Sequence, residues 1–314
     1  MKLALELRGV SKSYGRRQAL DRLDLAVPEG SVFGLVGSNG AGKTTAMAVA
    51  LGLLHSDAGD IDVLGSGRFN ALRHQGLASL LPQDSRLPPH SRVADLLYFY
   101  GRLQGLNETE LAASVPEMLE WVHLTDRAGS EIRTLSHGMA RRLAVAQAFL
   151  GKPKLVLLDE PFNGLDPREA VRARELIRER QHGQTIVISS HHLDDIEALC
   201  DTVAFIEKGH LVRQDALETI TMRGRQVSYK LLTAEPPPVA KLGGVLGEVK
   251  FEWIQAQSEL KARFPASLAV EQVNRAVVKM LIDENIGILE IRRGSDLETE
   301  YLNSSRPQAV PQPG

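Results

Sequence analysis

The sequence predicts an α/β protein: a large domain with a mainly parallel sheet, followed by a small α+β unit. Three observations predict it. Short apolar runs such as SVFGLV (31–36), LVLLD (155–159) and TIVISS (185–190) read as buried strands. They alternate with helical patterns such as REAVRARELIRER (168–180), the rhythm of a chain that winds back and forth across a parallel sheet. Near residue 220 that rhythm gives way to closely spaced strand candidates around one amphipathic helix.

In chain order, LALELRGVSKSY (3–14) and QALDRLDLAV (18–27) read as paired strands, and Pro28 to Gly30 as a turn. SVFGLVG is the first buried strand, and from Gly42 the pattern turns helical to about Leu54. IDVLG and LASLLPQ are further strands. Residues 91–151 are mostly helical, with Ser91 as N-cap of VADLLYFYGRLQGL and Asn107 with Glu110 spaced as a capping box. LVLLDEP, the helix after it, TIVISS, HLDDIEALC and TVAFIEKG complete the α/β alternation. Beyond it, TAEPPPVAKLGG is a loop, and VSYKLL, VKFEWIQ, SELKARF and IGILEIRR are strands. LAVEQVNRAVVKMLIDEN is amphipathic, with Val273, Val277, Met280 and Leu281 on one face. Ser295 and Glu298 would box a last short helix, and SRPQAVPQPG has too few apolar residues to pack. The expected divisions are 1–220, with a helical subdomain at about 84–151, then 221–302, then a disordered tail at 303–314.

Composition removes several function classes. The formal net charge of -2 and the lack of a basic stripe argue against nucleic acid as a partner. The single cysteine, Cys200, cannot form an intrachain disulfide, which suits a reducing cytosol, and it reads as a small buried apolar residue. The N-terminus lacks a signal-peptide pattern, and no stretch approaches 18 uncharged apolar residues, so action at a membrane would need docking on another protein.

Residues 37–45, GSNGAGKTT, fit G-x-x-x-x-G-K-[ST] between a strand and a helix. Glycines let the backbone wrap a phosphate closely, and the helix N-terminus adds free N–H groups and the positive end of its dipole. Lys43 would reach the β- and γ-phosphates and Thr44 would ligate Mg²⁺. LVLLDEP ends an apolar strand in adjacent carboxylates: Asp159 would hold Mg²⁺ through water and Glu160 would polarise an attacking water. Two acids at a strand end are costly unless a cation or hydrogen bonds face them. These elements alone indicate a P-loop nucleotide hydrolase.

Further motifs narrow that class. LSHGM (135–139) precedes LVLLDEP, NGLDP (163–167) and SSH (189–191) follow it, Gln83 ends LASLLPQ, and Tyr14 lies in KSYG. This ordered set, covering residues 1 to about 220, resembles the ATP-binding subunit of ABC transporters. The resemblance implies the ABC type of P-loop fold, with an antiparallel β subdomain and a helical subdomain. It implies ATP and Mg²⁺ bound by the whole loop: Gly37, Ser38, Asn39, Gly40, Ala41, Gly42, Lys43, Thr44 and Thr45. Tyr14 would stack on adenine, Gln83 would touch Mg²⁺ and link it to the membrane partner, and Asp166 would lie at a dimer contact. His191 would contact the γ-phosphate and support Glu160, whereas His192 would be a solvated helix-start residue. Ser136 and the Gly138 N–H would meet the γ-phosphate held by a second subunit.

His137 and Met139 depart from the usual glycine and glutamine, Ser38 from a frequent proline, and Asn163 from serine or threonine. Methionine cannot donate a hydrogen bond, so a ribose contact made by glutamine would be lost. Residues 225–302, closing on SDLETEYLNSS, resemble the C-terminal extension of antibiotic- and sodium-export subunits. The implied protein is a dimeric ATPase driving a separate multi-helix permease for export, peripheral at the cytoplasmic face of the membrane. Tyr98, Phe99 and Tyr100 are candidates for the docking groove. A soluble ribosome- or DNA-remodelling ATPase, a module using ATP as structural ligand, and a metabolic kinase are the rivals.

Overall fold

The computed structural model describes residues 2–180, 183–217, 226–242, 246–265 and 267–293. The chain divides into two compact units, Met1–Asp215 and Ala216–Gly314.

In the first unit, β1 (Leu3–Tyr14) lies between β2 (Arg17–Pro28) and β4 (Ala58–Val63) in an antiparallel sheet. The central sheet runs β5-β6-β7-β3-β8-β9 and comprises β3 (Val32–Val36), β5 (Ala78–Leu81), β6 (Leu155–Asp159), β7 (Thr185–Ser190), β8 (Thr202–Glu207) and β9 (His210–Ala216). Its first five strands are parallel. Every residue of β3, β6 and β7 is buried, as expected where both faces of a parallel sheet are covered. Leu5, Leu7 and Leu25 of the antiparallel sheet join Phe33, Leu35, Leu157 and Val187 of the central one in a core with Met47 and Val49 of α1. Each such side chain contributes about 1.5–3 kcal/mol by leaving water.

The helix α1 (Lys43–Ala50) ends sooner than the apolar pattern predicts, because Gly52 turns the chain away at φ 67. The helix α2 (Val93–Leu103) has Arg92 as N-cap, without a side-chain cap. Ser91 is therefore not the cap; its carbonyl is taken by the Ile132 N–H, which ties it to another loop. The Asn107–Glu110 capping box opens α3 (Glu108–Trp121), both hydrogen bonds being present. Then follow α4 (His137–Phe149), α5 (Pro167–Arg180) and α6 (Leu193–Leu199). Cys200 is buried, which pushes its thiol pKa well up. Strand β9 went unread in the sequence because it is polar, with no fully buried residue.

The second unit is an antiparallel sheet, β11-β12-β10-β13, of β10 (Gln226–Leu231), β11 (Lys250–Ile254), β12 (Glu259–Arg263) and β13 (Ile288–Arg293). The helix α7 (Val270–Asp283) buries Val273, Val277, Met280 and Leu281 in one core with Tyr229, Leu231 and Leu260. Tyr229 donates its hydroxyl to Asn274 Oδ1 at 2.6 Å, and burial raises its phenol pKa. The Ser295–Glu298 box and the tail from 303 lie outside the described residues.

Candidate functional site

Parallel register assembles the site. Val36 pairs with Ser190 across β3 and β7, and Asp159 pairs with Ser189 across β6 and β7. The three strands therefore end level, and the residues that follow, Gly37, Glu160 and His191, emerge along one edge of the sheet. Ligands of open α/β sheets bind beyond these carboxyl ends.

The loop after β3 closes tightly onto α1. Gly42 sits at φ 113, and a Cβ there would stand 2.6 Å from the Ala19 carbonyl oxygen, so only glycine fits. Lys43 is buried, with Nζ donating to the Gly37 carbonyl at 2.8 Å and to that of Ser38 at 3.4 Å. The same ammonium stands 3.2 Å from Glu160 Oε1.

Glu160 is only 5 % exposed and holds a left-handed backbone, φ 47. For a non-glycine residue this is strain of order 1–3 kcal/mol, kept only where the surroundings enforce it. Three groups enforce it here. Its N–H donates to Ser189 Oγ at 2.9 Å, and that hydroxyl donates to Asp159 Oδ1. His191 Nδ1 lies 2.8 Å from Oε2. Arg141 donates to its carbonyl at 2.6 Å. Burial pulls the Arg141 pKa down against the opposing pull of Asp159, Asp84 and Glu160. Oε1 has no aligned hydrogen bond; Lys43 meets it as a charge rather than as a directed donor.

A cleft of about 280 Å³ opens in front of these groups, lined among others by Tyr14, Arg17, Thr44, Thr45, Gln83 and Glu160. Asn39, Gly40, Gly42 and Lys43 line it too, whereas Asp159 lies behind, 1 % exposed. Gly37 and Ala41 are buried, and Ser38 is exposed at the loop. Hydroxyl, amide and carboxylate oxygens gathered at one mouth, with Oε1 not hydrogen-bonded, form a donor set that fits a hard divalent cation beside phosphate. Among the described residues no group of three or more His, Cys, Asp or Glu could cage a metal. Mg²⁺ beside phosphates needs no such cage.

The remaining predicted residues lie elsewhere. Ser136 caps α4, its hydroxyl accepting the Met139 N–H at 3.2 Å. Gly138 packs so closely that a Cβ would stand 2.7 Å from Glu169 Cγ. Asp166 Oδ1 accepts the Arg168 and Glu169 N–H groups, capping α5. Of the three aromatics in α2, Phe99 is exposed and Tyr98 and Tyr100 are half-buried.

Sequence reasoning missed Arg17, Ser189 and Arg141. Arg17 leans over the 37–45 loop: its Nη2 lies 2.9 Å from where a Gly40 Cβ would be. KSYGRRQ shows two arginines without saying which faces the loop. The hairpin decides it, since Tyr14 pairs with Arg17. Arg17→Gln is expected to raise the KM for ATP about three- to tenfold with kcat nearly unchanged, because one charged contact to phosphate contributes about 1.5 kcal/mol. Steady-state ATPase assays check this; an unchanged KM would remove Arg17 from the site.

The ABC transporter family model matches residues 20–163. Nod factor export ATP-binding protein I of Cupriavidus metallidurans is 38% identical over 220 residues, covering 68% of this chain and 71% of that protein. Linearmycin resistance ATP-binding protein LnrL of Bacillus subtilis is 34% identical, covering 66% and 68%. The Nod factor export ATP-binding protein I of Burkholderia thailandensis is 32% identical over 287 residues, 86% of this chain and 92% of that one. Among solved structures, an ATP-binding subunit of an ABC transporter superposes with TM-score 0.64 at 28% identity, covering 71% of this chain and 93% of that one. A dimeric ATP-binding cassette bound to ADP and Pi, 20% identical with TM-score 0.62 over 68% of this chain and 98% of that one, shares the fold.

Proposed function

We infer the task of this chain from one premise: it belongs to the ABC transporter family, as an ATP-binding subunit that hydrolyses ATP. Two copies close around two ATP molecules, and their closure drives a separate membrane permease, in the direction of export. The observation that carries this reading is the Lys43–Glu160–His191 constellation, with Lys43 and Glu160 buried and His191 half-buried, at the ends of three parallel strands.

Each residue has a role in it. The N–H groups of the 37–45 loop and the α1 terminus hold the phosphates, and Tyr14 stacks on the adenine. Lys43 leaves the Gly37 carbonyl and Glu160 to neutralise the β- and γ-phosphates. Glu160, freed on that side and held on the other by His191, accepts the proton of the attacking water. His191 keeps the carboxylate turned toward the reaction and contacts the γ-phosphate. Thr44 and Gln83 would hold Mg²⁺, with Asp159 acting through water, and the ion would supply further charge neutralisation. Catalysis is then positioning and electrostatics, as phosphoryl transfer requires. Export is favoured by relatives named for Nod factor export and linearmycin resistance. No described helix is long and apolar enough to cross a membrane, and attachment through the permease at its cytoplasmic face fits that. The ATPase part runs to about residue 220, with 221–302 as its extension.

Ser136 and Gly138 act on the nucleotide of the other copy. Ser136→Ala, made in a Glu160→Gln background, is expected to weaken Mg·ATP-dependent dimerisation about 100-fold, since the dimer loses two hydroxyl contacts to charged oxygens, one at each nucleotide, about 3 kcal/mol together. Light scattering across a concentration series measures it. A protein that binds ATP and stays monomeric at every concentration would sink the two-copy reading.

A further inference from the structure

The reading above leaves a buried cation without a task. Arg141, on the second turn of α4, is 7 % exposed. Its guanidinium joins two segments that are far apart in sequence. On one side, Nε donates to the Pro161 carbonyl at 2.8 Å and Nη2 to those of Glu160 at 2.6 Å and Asp159 at 3.3 Å. On the other side, Nη1 donates to Ser85 Oγ at 3.0 Å and to the Gln83 carbonyl at 3.3 Å. These acceptors are backbone carbonyls and one hydroxyl. A buried charge satisfied this way depends on every acceptor staying in place.

The guanidinium is a rigid plane. If the Gln83–Ser85 segment shifts, the plane must tilt, or the contacts on one side must break. The peptide on the far side is the one that carries Glu160 at φ 47, a conformation maintained by its surroundings. A cleft of about 410 Å³ lies beside this link, lined by Gln83, Ser85, His137, Arg141, Asn163 and Gly164, and gives the 83–85 segment room to move.

We propose that Arg141 is a positioning residue that transmits displacement of the Gln83–Ser85 segment to the carboxylate of Glu160. Hydrolysis is thereby permitted only when that segment is seated. The proposal rests on Glu160 being the group that activates water. Arginine suits the task because its planar fork can hold both segments at a fixed angle, which the single nitrogen of a lysine does not set.

The test uses full-length Arg141→Lys, Ser85→Ala and the double variant, with Mg·ATP turnover, ATP binding by fluorescence titration, and melting temperature. Arg141→Lys is expected to lower kcat about 10- to 100-fold, since small misplacement of a reacting group has effects of that size. ATP affinity should change less than threefold. Ser85→Ala should lower kcat in the same sense, and the double variant should fall no further than Arg141→Lys, because Ser85 acts through Arg141. Additive losses, or a kcat that falls only in step with melting temperature and ATP affinity, would show a packing role and overturn the proposal. So would a kcat within twofold of the parent in either variant. Glu160→Gln is the control: if it retains full turnover, the assignment of Glu160 has failed rather than the link.

Discussion

Glu160→Gln is expected to reduce ATP turnover by about 10²- to 10⁴-fold while Mg·ATP still binds, the range set by loss of a general base. The amide keeps the shape of the side chain, so the hydrogen bond of the Glu160 N–H to Ser189 and the Arg141 contact to its carbonyl stay as they are. What changes is chemistry: an amide cannot take a proton from water. His191, 2.8 Å from Oε2, would still orient the group but would have no carboxylate to support. The variant should therefore accumulate the ATP-bound state, seen as slow single-turnover kinetics with retained nucleotide. Turnover within tenfold of the parent would exclude Glu160 as the base.

Lys43→Ala is the second large effect, and it acts on both binding and stability. Charged hydrogen bonds contribute about 1.5–3 kcal/mol each, so losing those to two phosphates should weaken ATP binding by at least about 100-fold. The substitution also removes the ammonium that stands 3.2 Å from Glu160 Oε1, a carboxylate 5 % exposed whose other partner among the described residues is His191. Breaking a buried pair from one side costs about 3–5 kcal/mol. In a domain of this size each kcal/mol lowers Tm by about 2–4 °C. Glu160→Gln added to Lys43→Ala should recover part of that Tm without recovering ATP binding. Calorimetry and nucleotide titration together separate the two. A single variant with unchanged Tm would mean that Lys43 and Glu160 do not support each other in the nucleotide-free protein.

Local features were legible because their partners are near neighbours. The Asn107–Glu110 box depends on residues three apart. The apolar face of α7 depends on helical spacing, and Val273, Val277, Met280 and Leu281 are all buried. Ser91 was misread for the same reason in reverse. Its type suits an N-cap, but its backbone is claimed by Ile132, far along the chain. The polar strand β9 carries no apolar run to mark it.

The candidate site divides along the same line. Lys43, Thr44, Asp159 and Glu160 could be named because each sits in a short pattern whose chemistry is local, a glycine loop before a helix and two carboxylates at the end of an apolar run, whereas His191 could be named only through the family resemblance that SSH helps to carry. The sequence by itself thus determined the α/β alternation, the glycine-rich loop between strand and helix, and the inventory of charged groups. Only the tertiary structure decided that β3, β6 and β7 end level, that Arg17 rather than Arg16 lines the loop's cleft, and that Ser189 and Arg141 hold Glu160 in a strained backbone. The physical reason is that these contacts are made by strand register and by single hydrogen bonds to backbone atoms. A carbonyl or an N–H is the same at every residue, so no residue type announces which one a distant guanidinium or hydroxyl will find.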